Sequence, residues 1–243
     1  MVTKQKEQEF DAYRDSYESD IDSALAFSGQ EHDYFTKVKA RYFNNILDKH
    51  FPNDTPLDVL DVGCGHGLIH PHLLNKDNLN KDNVRIKLTG IDVAASVIEV
   101  AQAQNTGVQY DTYDGHILPY ADNSFDAAFT ICVMHHVPPA QWEAFLKEIY
   151  RVLKPGGLFC VFEHNPLNPI TRKIVNECPL DENAVLLRSG HLRKLINGVG
   201  FIQSSCKFIL FTPFDHPVFH HFDRLMSWLP LGAQYYATGT KPI

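Results

Sequence analysis

An α/β fold, with a mainly parallel sheet covered by helices on both faces, is what the amino-acid sequence predicts, and three observations predict it. Short apolar runs alternate with helical patterns from residue 57 to about 212, the alternation that buries a parallel sheet between helix layers. The first run, Val59-Leu-Asp-Val-Gly-Cys-Gly-His-Gly67, ends in an acid and passes into glycines at every second position. The second, Leu88-Thr-Gly-Ile-Asp92, also ends in an acid and leads into a helical pattern over 93–104.

Taken in chain order, residues 1–56 read as an N-terminal helical cap and 57–243 as the main domain. In the cap, Phe10, Tyr13 and Tyr17 fall at helical spacing. Tyr34, Phe35, Val38, Tyr42, Phe43, Ile46 and Leu47 form a second apolar face. Asp54-Thr-Pro56 punctuates its end. Beyond it, Gly63, Gly65 and Gly67 carry no Cβ, so the backbone can turn sharply and approach a ligand closely. Asp61 would repel a pyrophosphate and suits a cationic ligand instead. The dinucleotide fingerprint G-x-G-x-x-G, counted from Gly63, requires glycine at 68, where Leu68 stands. Asp92, at the end of the second strand, is placed to accept both hydrogen bonds of a ribose diol.

The stretch 108–115 leads to Ile117-Leu-Pro-Tyr-Ala-Asp-Asn-Ser-Phe-Asp126, and 127–133 reads as a fourth strand running into Met134-His-His-Val137. Residues 151–157 form the turn before a fifth strand over 158–162. The segment 165–187 is long and carries Pro166, Pro169 and Pro179, and a helix follows near 190–198. Strand-like segments at 207–212 and 234–239 flank 214–231, which carries Phe219, Phe222, Leu225, Met226, Trp228 and Leu229.

These stretches, in this order over roughly residues 57–163, resemble the motifs of class I S-adenosylmethionine methyltransferases, and the chain is similar to their small-molecule, type 11 branch. The resemblance implies a Rossmann-like seven-stranded, mainly parallel sheet with an antiparallel C-terminal strand. It also implies N-terminal helices over the cofactor, and the segments at about 165–187 and 214–231 are expected to complete a lid. It implies that S-adenosyl-L-methionine is bound, with S-adenosyl-L-homocysteine as product, by Asp61, Gly63, Cys64, Gly65, Asp92, Val93, Asp114, Gly115, His116 and Cys132. Asp61 would take the ammonium side, Asp92 the ribose and Asp114 the adenine amino group. The backbone amides of Gly115 and His116 would meet the ring.

Methyl transfer from a sulfonium asks the protein for orientation and exclusion of water. A base is required only when the nucleophile must lose a proton. Histidine titrates in the right range, which makes His135, His136 and His164 the candidate catalytic residues, with Glu163 beside them. His66, His70 and His72 lack the H-E-x-x-H pattern and have Pro71 among them, so no metal is expected. The cysteines form no C-x-x-C pair and read as reduced structural thiols; Cys178 stands apart in a polar, loop-like stretch.

A net charge of −7 argues against nucleic acid as a partner. No apolar run reaches 18 residues and residues 1–9 carry no signal core, so the expectation is a cytoplasmic protein without a membrane span. Monomer and homodimer both remain open. The motif (Asn/Asp/Ser)-Pro-Pro-(Tyr/Phe) of exocyclic-nitrogen methyltransferases is replaced by Cys132-Val-Met-His135. That replacement argues against nucleic-acid bases and glutamine side chains as acceptors. The reading is methyl transfer to a small-molecule acceptor, at oxygen ahead of carbon or nitrogen, with a histidine as candidate base. The alternatives are a protein- or carboxylate-directed methyltransferase and a non-catalytic cofactor-binding partner subunit.

Overall fold

The computed structural model describes residues 32–52, 55–74, 86–214 and 216–243. Seven strands form one sheet: β1 (Leu57–Val62), β2 (Ile86–Asp92), β3 (Gln109–Thr112), β4 (Phe125–Ile131), β5 (Leu153–His164), β6 (Ile202–Ile209) and β7 (Gln234–Thr240), in the order β3-β2-β1-β4-β5-β7-β6. Pairings from β3 through β5 are parallel, and β7 runs antiparallel between β5 and β6. The sheet thus has the predicted composition. The predicted turn at 151–157 is instead largely strand: Leu153 already pairs with Phe125, and a register shift before Ala127 absorbs Gly156 and Gly157.

The described residues contain helices α1 (His32–His50), α2 (His70–Leu74), α3 (Ala95–Gln104), α4 (Trp142–Val152), α5 (Pro169–Glu177), α6 (Ser189–Val199) and α7 (Pro217–Met226). None is long and apolar enough to cross a membrane. Trp142, Phe145, Leu146 and Ile149 of α4 pack with Leu192 and Ile196 of α6 on one face of the sheet. Val38, Phe43 and Leu47 of α1 pack with Ile69 and Leu73 on the other. Along each helix these positions gather on one side, so each turns one apolar stripe toward the strands.

Of the N-terminal helical cap expected over 1–56, the structure describes 32–52 and 55–56. Phe43 is fully buried against Phe129 of β4, with ring centroids 4.4 Å apart, and His50 Nε2 lies 2.9 Å from the Gly156 carbonyl. From residue 32 onward this segment is a wall of the main core. Phe10, Tyr13 and Tyr17 lie outside the described residues.

The expected lid also includes the segment 214–231. Phe214, Val218, Leu225 and Trp228 are exposed, and among the described residues none from 214 to 231 reaches the cleft at the strand ends. The predicted strand at 207–212 begins earlier, at Ile202, because pairing with β7 extends it.

If α1 is part of the core, Phe43→Ala should destabilise the chain by about 3–5 kcal/mol in denaturant-monitored unfolding, as for other large buried rings. A loss under about 1 kcal/mol would place the helix outside the cooperative unit.

Candidate active site

The parallel strands β1, β2, β4 and β5 end on one edge of the sheet, where open α/β sheets place their ligands. A cavity of about 290 Å³ opens there. Asp61, Gly63, Cys64, Gly65, Asp92, Val93, Gly115, His116 and Cys132 all line it, and so do His135, His136 and His164. Asp114 does not. Its Oδ1 accepts hydrogen bonds from the His116 and Ile117 amides at 2.8 and 2.9 Å, so the carboxylate shapes the loop that carries Gly115.

At the β1 end, Asp61 is 2% exposed. Its Oδ2 accepts from His70 Nε2 at 2.9 Å, and His70 Nδ1 faces the Tyr110 hydroxyl at 2.6 Å. With Nε2 donating, Nδ1 accepts from Tyr110. This relay was not legible in the sequence, since the residues lie nine and forty positions apart and belong to three elements. Gly67 serves the relay and not the ligand: a Cβ there would stand 2.5 Å from the Tyr110 hydroxyl and 2.8 Å from His70 Nδ1. Gly63, at φ +77°, turns the chain beneath Val133, whose methyls would clash with any side chain at this point.

Asp92 braces the loop from the β2 end. Its two oxygens accept from the Gly65 amide at 2.9 Å and the Ala94 amide at 3.1 Å. Burial raises the pKa of Asp61 and of Asp92 above the usual carboxylate range, against the lowering effect of these hydrogen bonds. Burial also pushes the Cys64 and Cys132 thiols up, so neither is a thiolate.

These residues fit a sulfonium amino acid. Asp61 Oδ1 is buried and has no hydrogen-bond partner. An unsatisfied buried carboxylate oxygen is costly, and an α-ammonium at the cavity wall satisfies it. Asp92 retains lone pairs for a diol.

The other half of the cavity is built around Glu163, which is fully buried on β5. Its Oε1 accepts from the Met134 amide at 2.8 Å, and its Oε2 from His135 Nδ1 at 2.5 Å. His135 Nε2 reaches Asp181 Oδ1 at 3.2 Å. Burial alone would drive this imidazole to its neutral form. The Glu163 charge and the hydrogen bonds to Asp181 and Glu163 outweigh it and hold the pKa well above the ordinary value. Asp181 shows the counterpart: burial pushes its carboxyl up, but His135 and its histidine neighbours bring it down to about 2.

His135 is thus an imidazolium clamped between two carboxylates, and it is removed from the candidate bases. A divalent ion on His135, His136 and Asp181, whose ligand atoms lie within 4.8 Å of one another, would have to displace the Nε2 proton. His164 goes the other way: burial and the His135 charge lower it to about 4, so it is neutral near pH 7. His136 faces the cavity with Nε2 3.5 Å from Asp181 Oδ1.

From the segment 165–187, Thr171, Ile174, Cys178, Leu180 and Asp181 line the cavity and form part of its roof. Cys178 is 7% exposed, not in an open loop, because α5 turns it inward at its C-terminus. The rest of the roof is α1, through His32, Phe35, Thr36 and Lys39.

Residues 60–161 match a family model described as "Methyltransferase domain". That segment is similar to the methyltransferase domain over its whole matched length. It is 30% identical over 133 residues to norajmaline N-methyltransferase of Rauvolfia serpentina, covering 54% of this chain and 44% of the relative. It is 31% identical over 110 residues to fatty-acid O-methyltransferase of Mycolicibacterium smegmatis, covering 44% and 37%. The chain therefore spans less than half the length of either. A solved structure from Thermotoga maritima, described as a possible histamine N-methyltransferase, shares the fold with a TM-score of 0.66 at 22% identity, covering 96% of this chain and 99% of that one.

Two outcomes test the site. Asp92→Ala should weaken S-adenosylhomocysteine about tenfold or more in calorimetric titration, and an unchanged affinity would remove Asp92 from the ribose site. The second concerns acid stability. Unfolded His164 takes its proton below about 6.5, and folded His164 only below about 4. The unfolded chain therefore binds that proton first, and stability falls as pH drops from 6.5 to 4. Denaturant unfolding at pH 7 and 4.5 should show wild type losing roughly 1–2 kcal/mol more than His164→Asn; equal losses would contradict a neutral buried imidazole.

Proposed function

We propose that this chain methylates an oxygen of a small-molecule acceptor, with His136 as the general base. One continuous cavity carries the reading: the half that fits the cofactor and the half built on His135, His136 and His164 share the same 290 Å³. The cofactor, when bound, supplies an electrophilic methyl group on a sulfonium. The protein's part is to hold the acceptor hydroxyl in line, exclude water and accept the proton that the hydroxyl releases.

His136 suits that last task by position. Its Nε2 is directed toward Asp181, and that carboxylate stabilises the imidazolium formed on proton uptake. His135, already doubly bonded to carboxylates, fixes Asp181 and the 134–136 turn. Val185 N–H donates to the His135 carbonyl at 2.8 Å, which ties the far end of the roof to the same turn. A polypeptide acceptor calls for an open groove, whereas roofing by α1 and 165–187 favours a small one. The two named relatives are consistent with small acceptors, and between them they span nitrogen and oxygen.

The test is formation of S-adenosylhomocysteine in the presence of a panel of phenols and hydroxy acids. His136→Gln should lower kcat about a hundredfold or more and remove the acidic limb of the pH profile. Full activity in His136→Gln would dismiss it as the base, and absence of turnover with every small acceptor would favour the partner-subunit alternative.

A further inference from the structure

Lys39 sits on α1 at 5% exposure and lines the cavity. Isolating a cation from water is unfavourable unless an anion meets it. Among the described residues no carboxylate does so. The three acids that line the cavity are engaged elsewhere: Asp61 by His70, Asp92 by the Gly65 and Ala94 amides, Asp181 by His135. Glu163, behind the wall, is held by Met134 and His135. Lys39 is therefore a cavity-lining cation without a carboxylate partner among the described residues.

A second unpartnered group lines the same cavity. Gln234, at the start of β7, is 7% exposed, and its Oε1 is buried with no hydrogen-bond partner. Its Nε2 is directed at His164 Nδ1, 3.4 Å away, and more distantly at Cys132 Sγ. The Lys39 charge is felt at Cys132 and His164, on the β4 and β5 ends. Asp61, the ammonium site on β1, answers to His70 instead. Lys39 and Gln234 thus converge on the acceptor half of the cavity.

We propose that Lys39 anchors a carboxylate of the methyl acceptor, so that the substrates of this chain are small organic acids, with Gln234 Oε1 taking a hydrogen bond from a hydroxyl or N–H of the same molecule. This rests on the methyltransferase reading above. The surrounding Ile174, Leu180 and Leu210 supply apolar walls, which suits an aryl or short alkyl body.

The experiment is calorimetric titration of the full chain, saturated with S-adenosylhomocysteine, with two matched pairs: benzoate against benzamide and hexanoate against hexanamide. The pairs differ in charge and little in shape. Wild type should bind each acid about tenfold or more tighter than its amide, the range for a charge-assisted hydrogen bond. Lys39→Met should abolish that preference, Lys39→Arg should retain part of it, and S-adenosylhomocysteine affinity should stay within about twofold throughout, which also reports an intact fold.

Wild type with no preference for the acids overturns the proposal. So does Lys39→Met that loses cofactor affinity while keeping the preference, since Lys39 would then hold the cofactor's own carboxylate. Wild type that fails to bind S-adenosylhomocysteine overturns the methyltransferase reading instead, and the acid–amide comparison without it still reports on Lys39.

Discussion

A single carboxylate with no access to water organises the acceptor side of this molecule. Glu163 projects from the end of β5 and accepts from the Met134 amide and from His135. A buried carboxylate persists only when its hydrogen-bonding capacity is used and a cation is close, and both conditions are met by one short turn after β4. That turn is thereby held against β5. The imidazolium it carries reaches Asp181 in the roof segment, 46 residues onward. Strand, turn and roof are coupled through one charged chain, Glu163–His135–Asp181. The position of His136 follows from it, since His136 neighbours His135 in sequence and faces the same Asp181.

The cofactor side uses the same device with a different result. Asp61 is buried at the end of β1 and braced by His70, which Tyr110 braces in turn. Here one oxygen is left unsatisfied. The contrast is chemical: a fully bonded carboxylate builds a wall, and a half-bonded one keeps an oxygen that could accept from a ligand. Both sets converge because parallel strands of similar length all end on one edge, so that acids at strand termini become neighbours however far apart they lie in the chain.

Between the two halves lies α1, packed on the sheet by Phe43 and Leu47 and presenting Phe35, Thr36 and Lys39 to the cavity. Thr36, Lys39, Phe43 and Leu47 follow one another at spacings of three and four and so share one stripe of the helix. That stripe meets the cavity toward the N-terminus and the core toward the C-terminus. The exposed apolar residues of 214–231, in contrast, take no part in the cavity.

What the sequence determined by itself was local. The strand–glycine run at 59–67, the acids Asp61 and Asp92 at strand ends and the alternation of elements specified the sheet and the edge on which those acids meet, because those signals are carried by residues adjacent in the chain. The pairing order of β6 and β7 was less legible, for antiparallel insertion depends on which edge is open. Only the tertiary structure decided the protonation of the histidines. His135, His136 and His164 read alike as sequence, yet His135 is clamped between two carboxylates and His164 is desolvated beside its charge. Gly67, read as a ligand-facing glycine, proved to make room for Tyr110 and His70. Charge state and steric need are set by what lies across the fold, through electrostatics and packing that fall off within a few ångströms, and distance along the chain carries no record of that.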